Sequence, residues 1–108
     1  MATAVLFDCE FLTGEGASSR FWCGPHDPDP IVVQIGAVKL DLFAEFQILS
    51  SVDILVQPRD RHGRPHPLDS FFTRLTGIDQ STVNQNGLEL HEALAAFAQF
   101  AGASTIWS

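Results

Sequence analysis

The chain is poor in cysteine and in basic side chains, and it has no long hydrophobic run at its start. Its two cysteines, Cys9 and Cys23, are too few for a disulfide framework, which favours a reducing cytoplasm. Lys and Arg together number 6 against 13 Asp and Glu, and the net charge of −7 excludes a broadly basic nucleic-acid-coating protein. The opening MATAVLFDCEF has no basic stretch and reaches Asp8 early, so we expect no signal peptide or membrane span there.

What remains is the composition of a globular protein. The 108 residues are 45% apolar and 18% charged, which suits one small domain. The apolar block at 4–7 continues to Phe11 and predicts a buried strand, and residues 31–40 and 45–58 predict two more strands joined as an antiparallel hairpin. Residues 12–30 are rich in Gly and Pro and predict an irregular loop, of a length that is usually functional.

The second half of the chain predicts helices. Residues 68–75 form a short helix in this interpretation, which starts near Asp69 or Ser70 and closes at Gly77, and Asp79 caps another turn. Residues 88–101 predict an amphipathic helix. Its apolar positions at helical spacing are Leu90, Leu94, Phe97, Ala98 and Ala101. Residues 104–108 then predict the opening of a fourth strand.

The first predicted strand ends in two acidic residues at D-x-E spacing. Because strand side chains alternate, Asp8 and Glu10 project from one face while Cys9 turns away. Two neighbouring carboxylates repel each other, and a divalent cation relieves that repulsion. Oxygen ligands suit Mg²⁺ or Mn²⁺, and such ions serve phosphoryl chemistry in two-metal sites. The alternative is that this D-x-E simply faces solvent.

The order of the motifs along the chain helps to distinguish a metal site from an acidic pair that only faces solvent. The chain carries FDCEF, then QIGAVKL on the second strand, then RLTGI before the last helix. This series resembles the DEDD-type, or DnaQ-like, 3′-to-5′ exonucleases over nearly the whole chain. The resemblance implies a ribonuclease H-like α/β fold: a mixed sheet with three antiparallel strands, the start of a fourth strand, and helices packed on it.

The resemblance also implies roles for individual residues. Asp8 would contact two Mg²⁺ or Mn²⁺ ions and Glu10 one of them, in a complete domain that acts on the 3′ end of single-stranded DNA or RNA. The residues implied to lie at the terminal nucleotide are Phe11, Leu12, Thr13, Thr76, Gly77 and Ile78. For the last three, the alternative is an ordinary helix stop followed by a core isoleucine.

A second candidate contact with nucleic acid is a cluster of basic residues. Half of the Lys and Arg residues lie in one polar loop, as Arg59, Arg61 and Arg64. These arginines could hold phosphates of the strand leading away from the cleaved end. The alternative is a solvated loop that only improves solubility.

A complete member of the family needs two later aspartates and a histidine or tyrosine base, and residues 1–108 hold only the first acidic pair. We therefore expect the N-terminal part of one exonuclease domain, inactive by itself, which associates with another copy or with a missing C-terminal segment. The competing hypotheses are a non-catalytic nucleic-acid-binding or partner-binding fragment and a generic α/β domain whose acidic strand end is accidental.

Overall fold

A computed structural model of the chain describes residues 2–108. The strands are Thr3–Phe11 (β1), Val32–Asp41 (β2), Gln47–Leu55 (β3) and Thr105–Trp107 (β4). The helices are Ser70–Thr76 (α1), Gln80–Asn86 (α2) and Leu90–Ala101 (α3), and a 3₁₀ turn spans Ser18–Arg20.

The strands form one mixed sheet in the order β3-β2-β1-β4. The neighbours β1, β2 and β3 pair antiparallel, whereas β4 lies parallel to β1 and pairs Trp107 with Leu6. This confirms the predicted α/β architecture, including a short fourth strand at 105–107. The part of β1 that follows Leu6 is therefore hydrogen-bonded to β2 only, because β4 pairs with residues 4–6.

The hairpin strand β3 is shorter than the sequence predicted. It begins at Gln47 instead of residue 45, because Glu45 and Phe46 have φ angles of 57° and 59° and form the turn. It ends at Leu55 instead of residue 58, since Val56 pairs instead with Leu88 as an isolated bridge. The chain thus leaves the sheet earlier and enters the loop that leads to α1.

The predicted caps of α1 and α2 are confirmed. The Asp69 carboxylate accepts from Phe71 N at 2.7 Å, and that of Asp79 accepts from Thr82 N at 2.8 Å. Gly77 ends α1 with a φ of 79°, which glycine adopts without strain. These bonds begin α1 at Ser70 instead of Leu68 and extend α2 past the predicted single turn to Asn86.

The predicted core face of α3 was partly wrong. Leu90, Leu94 and Ala98 are exposed, whereas Ala93 and Ala101 are buried against the sheet. Small side chains at the contact let the helix axis approach the strands, which a leucine would hold apart. The spacing of the leucines therefore predicted the helix correctly, but it did not predict which side of the helix packs against the sheet.

Helix α3 covers one face of the sheet and leaves the other open. Val5, Phe7 and Cys9 of β1 pack toward α3, and the Phe7 ring meets that of Phe97 edge-on at 5.4 Å. The alternate residues Asp8 and Glu10 face the open side. Among residues 2–108, no helix has both the length and the apolar character needed to cross a membrane.

Candidate functional site

The open face of the sheet carries a groove that holds both predicted acidic residues. Asp8 is exposed and Glu10 is half-buried, and the groove they line has a volume of about 490 Å³. Period-two alternation along β1 therefore places these side chains on one face, as D-x-E spacing predicted. The arrangement rules out a pair divided between the two sides of the sheet.

The floor of this groove lacks a side chain beside Asp8. Gly36 of β2 lies opposite Asp8, and Asp53 of β3 lies opposite Gly36. A Cβ atom at position 36 would come within 3.2 Å of Asp53 Oδ1, so any larger residue would fill the space between the carboxylates. Sequence reasoning missed both residues, because their pairing depends on the turn at 45–46 and on a register shift at Lys39/Leu40 that the strand pattern did not show.

The charges of the acidic pair are not neutralised within the chain. Asp8 Oδ1 accepts a hydrogen bond from Cys9 N at 2.9 Å, and neither Asp8 nor Glu10 forms an ion pair with any residue in 2–108. Burial raises the pKa of the Cys9 thiol, and the negative charges of Asp8 and Glu10 raise it further. The field at this end of β1 is therefore negative and favours a bound cation.

The donor set suits a hard cation but is incomplete. Carboxylate oxygens are the preferred ligands of Mg²⁺, which commonly takes one or two of them and keeps water or phosphate oxygens elsewhere. Within 2–108, no group of three or more His, Cys, Asp or Glu side chains is arranged to hold a metal ion. Asp8 and Glu10 could thus supply at most two ligands, and an ion bound there would need its others from water, substrate or another segment.

The residues after the D-x-E motif lie in different environments. Phe11 ends β1 with 47% of its surface exposed, whereas Leu12 is fully buried and Thr13 is nearly so. Leu12 N also donates to Ile31 O at 2.7 Å, which closes the base of the following loop. Of these three, Phe11 is the one whose side chain is free to meet a ligand, and the predicted contacts with a nucleotide stay predictions.

The Thr76, Gly77 and Ile78 segment turns the chain out of α1. Ile78 is 8% exposed and packs in one cluster with Leu12 and Phe72. Thr76 Oγ1 donates to Phe72 O at 2.9 Å and accepts from Ile78 N at 3.1 Å. This is the packing expected of a helix stop with a core isoleucine, and a contact between Ile78 and a base stays a prediction.

Each arginine of the basic loop has a carboxylate partner. The Arg59 and Glu89 side chains lie 3.1 Å apart between Nε and Oε2, which links the loop to the start of α3. The remaining two pairs are Arg61 with Asp29 at 3.1 Å and Arg64 with Asp60 at 3.3 Å. A phosphate would have to share or displace these carboxylates, so the predicted phosphate contacts stay predictions.

Two solved structures contain the same arrangement of strands and helices. A crystal structure of exonuclease I in complex with the inhibitor BCBP aligns with a TM-score of 0.63 and 16% sequence identity over 98% of this chain. A structure of an ExoI/SSB-Ct complex aligns with a TM-score of 0.61 and 17% identity over 98% of the chain. This chain shares the fold of the aligned part of exonuclease I. The two alignments confirm the predicted fold class, a mixed sheet with helices packed on it.

The likeness to exonuclease I covers a small part of that protein. The chain spans 20% of the length of each aligned exonuclease I chain. No protein-family model matches it, and no curated protein matches it. At these identities the comparison establishes the fold, and the activity has to be argued from the residues.

In this exonuclease I fold, the loop after β1 is held by an ion pair that the sequence did not indicate. Arg20 donates to Asp27 through Nη2 at 2.6 Å and Nε at 3.0 Å, and its Nη2 also donates to Glu15 O at 2.8 Å. The indole of Trp22 donates to Leu12 O at 3.1 Å. These contacts join the loop to the end of β1, next to the acidic pair.

The loop should loosen in acid. The hydrogen bonds from Arg20, and then from Gly24 N, hold the pKa of Asp27 below its usual range. A carboxyl whose pKa is lowered by folding stabilises the folded state above its unfolded pKa of about 3.9, and this stabilisation is lost as the pH falls through the folded value. We expect the Trp22 indole N–H to exchange with solvent faster as the pH falls below about 4, measured by NMR.

The matched variants are Asp27→Asn and Asp29→Asn. The first should give fast Trp22 exchange already at neutral pH, because the charged partner of Arg20 is gone. The second removes a carboxylate that pairs with exposed Arg61, and it should leave the acid response unchanged. Equal protection of Trp22 in both variants would contradict the anchoring role of Asp27.

Proposed function

We propose that this chain is the N-terminal part of a metal-dependent 3′-to-5′ exonuclease that hydrolyses terminal phosphodiester bonds of single-stranded DNA or RNA. The observation that carries this proposal is the placement of Asp8 and Glu10, without cationic partners, on the open face of an exonuclease I fold. If the two acidic residues ended β1 by accident, nothing would require a glycine at position 36, where it leaves the floor of their groove without a side chain.

Asp8 and Glu10 are the residues that would hold Mg²⁺ or Mn²⁺. Such ions, when bound as a pair, activate water and stabilise the departing oxygen of a phosphodiester. The carboxylates themselves bring two negative charges to an open groove, and Gly36 keeps room beside Asp8 for the terminal phosphate. We propose that Phe11, whose side chain is 47% exposed at the end of the same strand, contacts the terminal nucleotide.

The remaining ligands and the base are proposed to come from a further segment. The chain spans 20% of the aligned exonuclease I chains, and within 2–108 no third ligand joins Asp8 and Glu10. The open face also exposes apolar residues beside β4, among them Leu6 and Trp107, which line a groove of about 290 Å³. Association with another copy or with a C-terminal segment, in a soluble cytoplasmic protein, stays a proposal.

The second candidate function is a binding fragment without chemistry. The incomplete ligand set favours it, since two carboxylates alone hold a divalent ion weakly. The two candidates differ in whether Asp8 and Glu10 bind metal at all.

Manganese binding tests the proposal. In NMR spectra of the chain, we expect Mn²⁺ to broaden first the backbone signals around Asp8, Glu10 and Gly36, because the ion would sit in that groove. Glu10→Gln removes one charged ligand and should weaken Mn²⁺ binding by about ten-fold or more.

Glu45→Gln is the matched control, because Glu45 is an exposed carboxylate in the β2–β3 turn at the opposite end of the sheet. It should leave the Mn²⁺ affinity of the groove unchanged. Broadening spread evenly over all acidic side chains, or an identical response in Glu10→Gln, would count against the metal site and favour the binding fragment.

A further inference from the structure

Phe21 is displayed on the loop after β1 in an unfavourable conformation. Its φ is 53°, in the left-handed region, and 81% of its surface is exposed. It ends the 3₁₀ turn at a position where glycine is the usual residue, because a Cβ atom is strained there. Neither packing nor backbone preference explains a phenylalanine at this point.

The loop that carries this ring is braced on both sides of it. Arg20, the preceding residue, is fixed by Asp27, whose side chain is 3% exposed. Trp22, the following residue, is tied through its indole to Leu12 O, two positions beyond Glu10. The backbone that carries the ring is therefore tied to the segment that directly follows the acidic pair, and it is not a loosely attached loop.

The negative charge of the chain restricts the kinds of contact by which it could hold a nucleic-acid strand. A net charge of −7 opposes a polyanion, and the loop arginines at 59, 61 and 64 already have carboxylate partners. Affinity for a single strand must then come largely from contacts that do not depend on charge. Stacking of a base on an aromatic ring is such a contact, and it works with any base because each has a π-face.

We propose that Phe21 is a stacking platform for a base of single-stranded nucleic acid that enters the acidic groove. The inference rests on the proposed function in taking nucleic acid as the ligand, and it adds a binding residue outside the D-x-E and TGI segments. Phe carries no hydrogen-bonding group, so the platform would hold a base without selecting its identity.

Oligonucleotide binding in the presence of EDTA tests this proposal without any metal. Phe21→Ala should weaken binding of a short fluorescent oligothymidylate by about ten-fold, as expected for the loss of one stacked base. Phe21→Trp should retain the affinity, whereas Phe21→Leu, which is apolar but has no π-face, should not. Phe43→Ala is the matched control, since Phe43 is 82% exposed in the β2–β3 turn at the other end of the sheet.

Two further measurements separate stacking from a structural role. Phe21→Gly relieves the left-handed strain, so it should raise the melting temperature while lowering affinity as much as Phe21→Ala does. With an abasic strand of the same length and charge, wild type and Phe21→Ala should bind equally.

Three results would overturn the proposal: no measurable binding by the wild-type chain, equal affinities for Phe21→Ala and Phe43→Ala, or an equal loss with the abasic strand. These readouts are independent of the manganese titration. A chain that binds Mn²⁺ at Glu10 but shows no effect of Phe21→Ala would retain the exonuclease proposal and lose the stacking platform. The converse pattern would retain the platform within a binding fragment.

Discussion

Under the proposed exonuclease function, replacing Asp8 with Asn is expected to lower the rate of 3′-terminal nucleotide release by about a thousand-fold or more, in a protein that also supplies the remaining metal ligands. The expected size reflects the several kcal/mol by which bound metal ions stabilise a phosphoryl transition state, at about 1.4 kcal/mol for each ten-fold in rate. Asn keeps the shape of the side chain and an oxygen acceptor but removes the charge that holds the ion. Release of a 3′-labelled nucleotide in the presence of Mg²⁺ measures the effect.

Asp41→Asn is the control for this substitution. Asp41 pairs with Thr3, five residues and about 17 Å along β1 from Asp8. Its carboxylate accepts from Phe43 N, a hydrogen bond that an amide oxygen can also accept. The control should keep full activity, whereas retention of activity by Asp8→Asn would mean that β1 does not supply a metal ligand.

The second large effect concerns stability. Phe72→Ala should lower the free energy of unfolding of the chain by about 3–5 kcal/mol, because it removes a fully buried aromatic ring and leaves a cavity. Phe72 lies at the centre of the cluster in which Leu12, Val33, Ile78 and Val83 meet. Since small domains are stable by only about 5–15 kcal/mol in total, this loss removes a large share of the stability of the chain. Urea unfolding followed by circular dichroism measures this difference.

Leu75→Ala provides the comparison within the same helix. Leu75 is exposed on α1, so its truncation should change the free energy of unfolding by no more than about 0.5 kcal/mol. Similar midpoints for the two variants would show that the Phe72 cluster is not the core that joins the loop after β1 to α1.

The features that could be predicted from sequence depend on short stretches of chain. Asp69, Asp79 and Gly77 act through hydrogen bonds or backbone angles within a few residues, so their patterns predicted the caps of α1 and α2 and the end of α1. The shared face of Asp8 and Glu10 follows from strand alternation alone. The resemblance to DnaQ-like exonucleases, carried by the order of the motifs, implied the mixed sheet with its parallel fourth strand.

The features that could not be predicted depend on residues far apart in the chain. The buried side of α3 depends on how closely the helix approaches the sheet, which buried Ala93 and left Leu90 and Leu94 exposed. The loop arginines found carboxylate partners up to 32 positions away, as in the pair of Arg61 with Asp29.

By itself, the amino-acid sequence determined that a D-x-E pair ends the first strand, that capped helices follow, and that the chain belongs to the α/β class. Only the tertiary structure decided that Gly36 leaves open the space beside Asp8 and that Phe21 is held out into solvent by a braced loop. The physical reason is the sequence distance over which the interactions act. Strand alternation and helix capping act over a few residues, whereas an open groove depends on which strands become neighbours when the whole chain has packed.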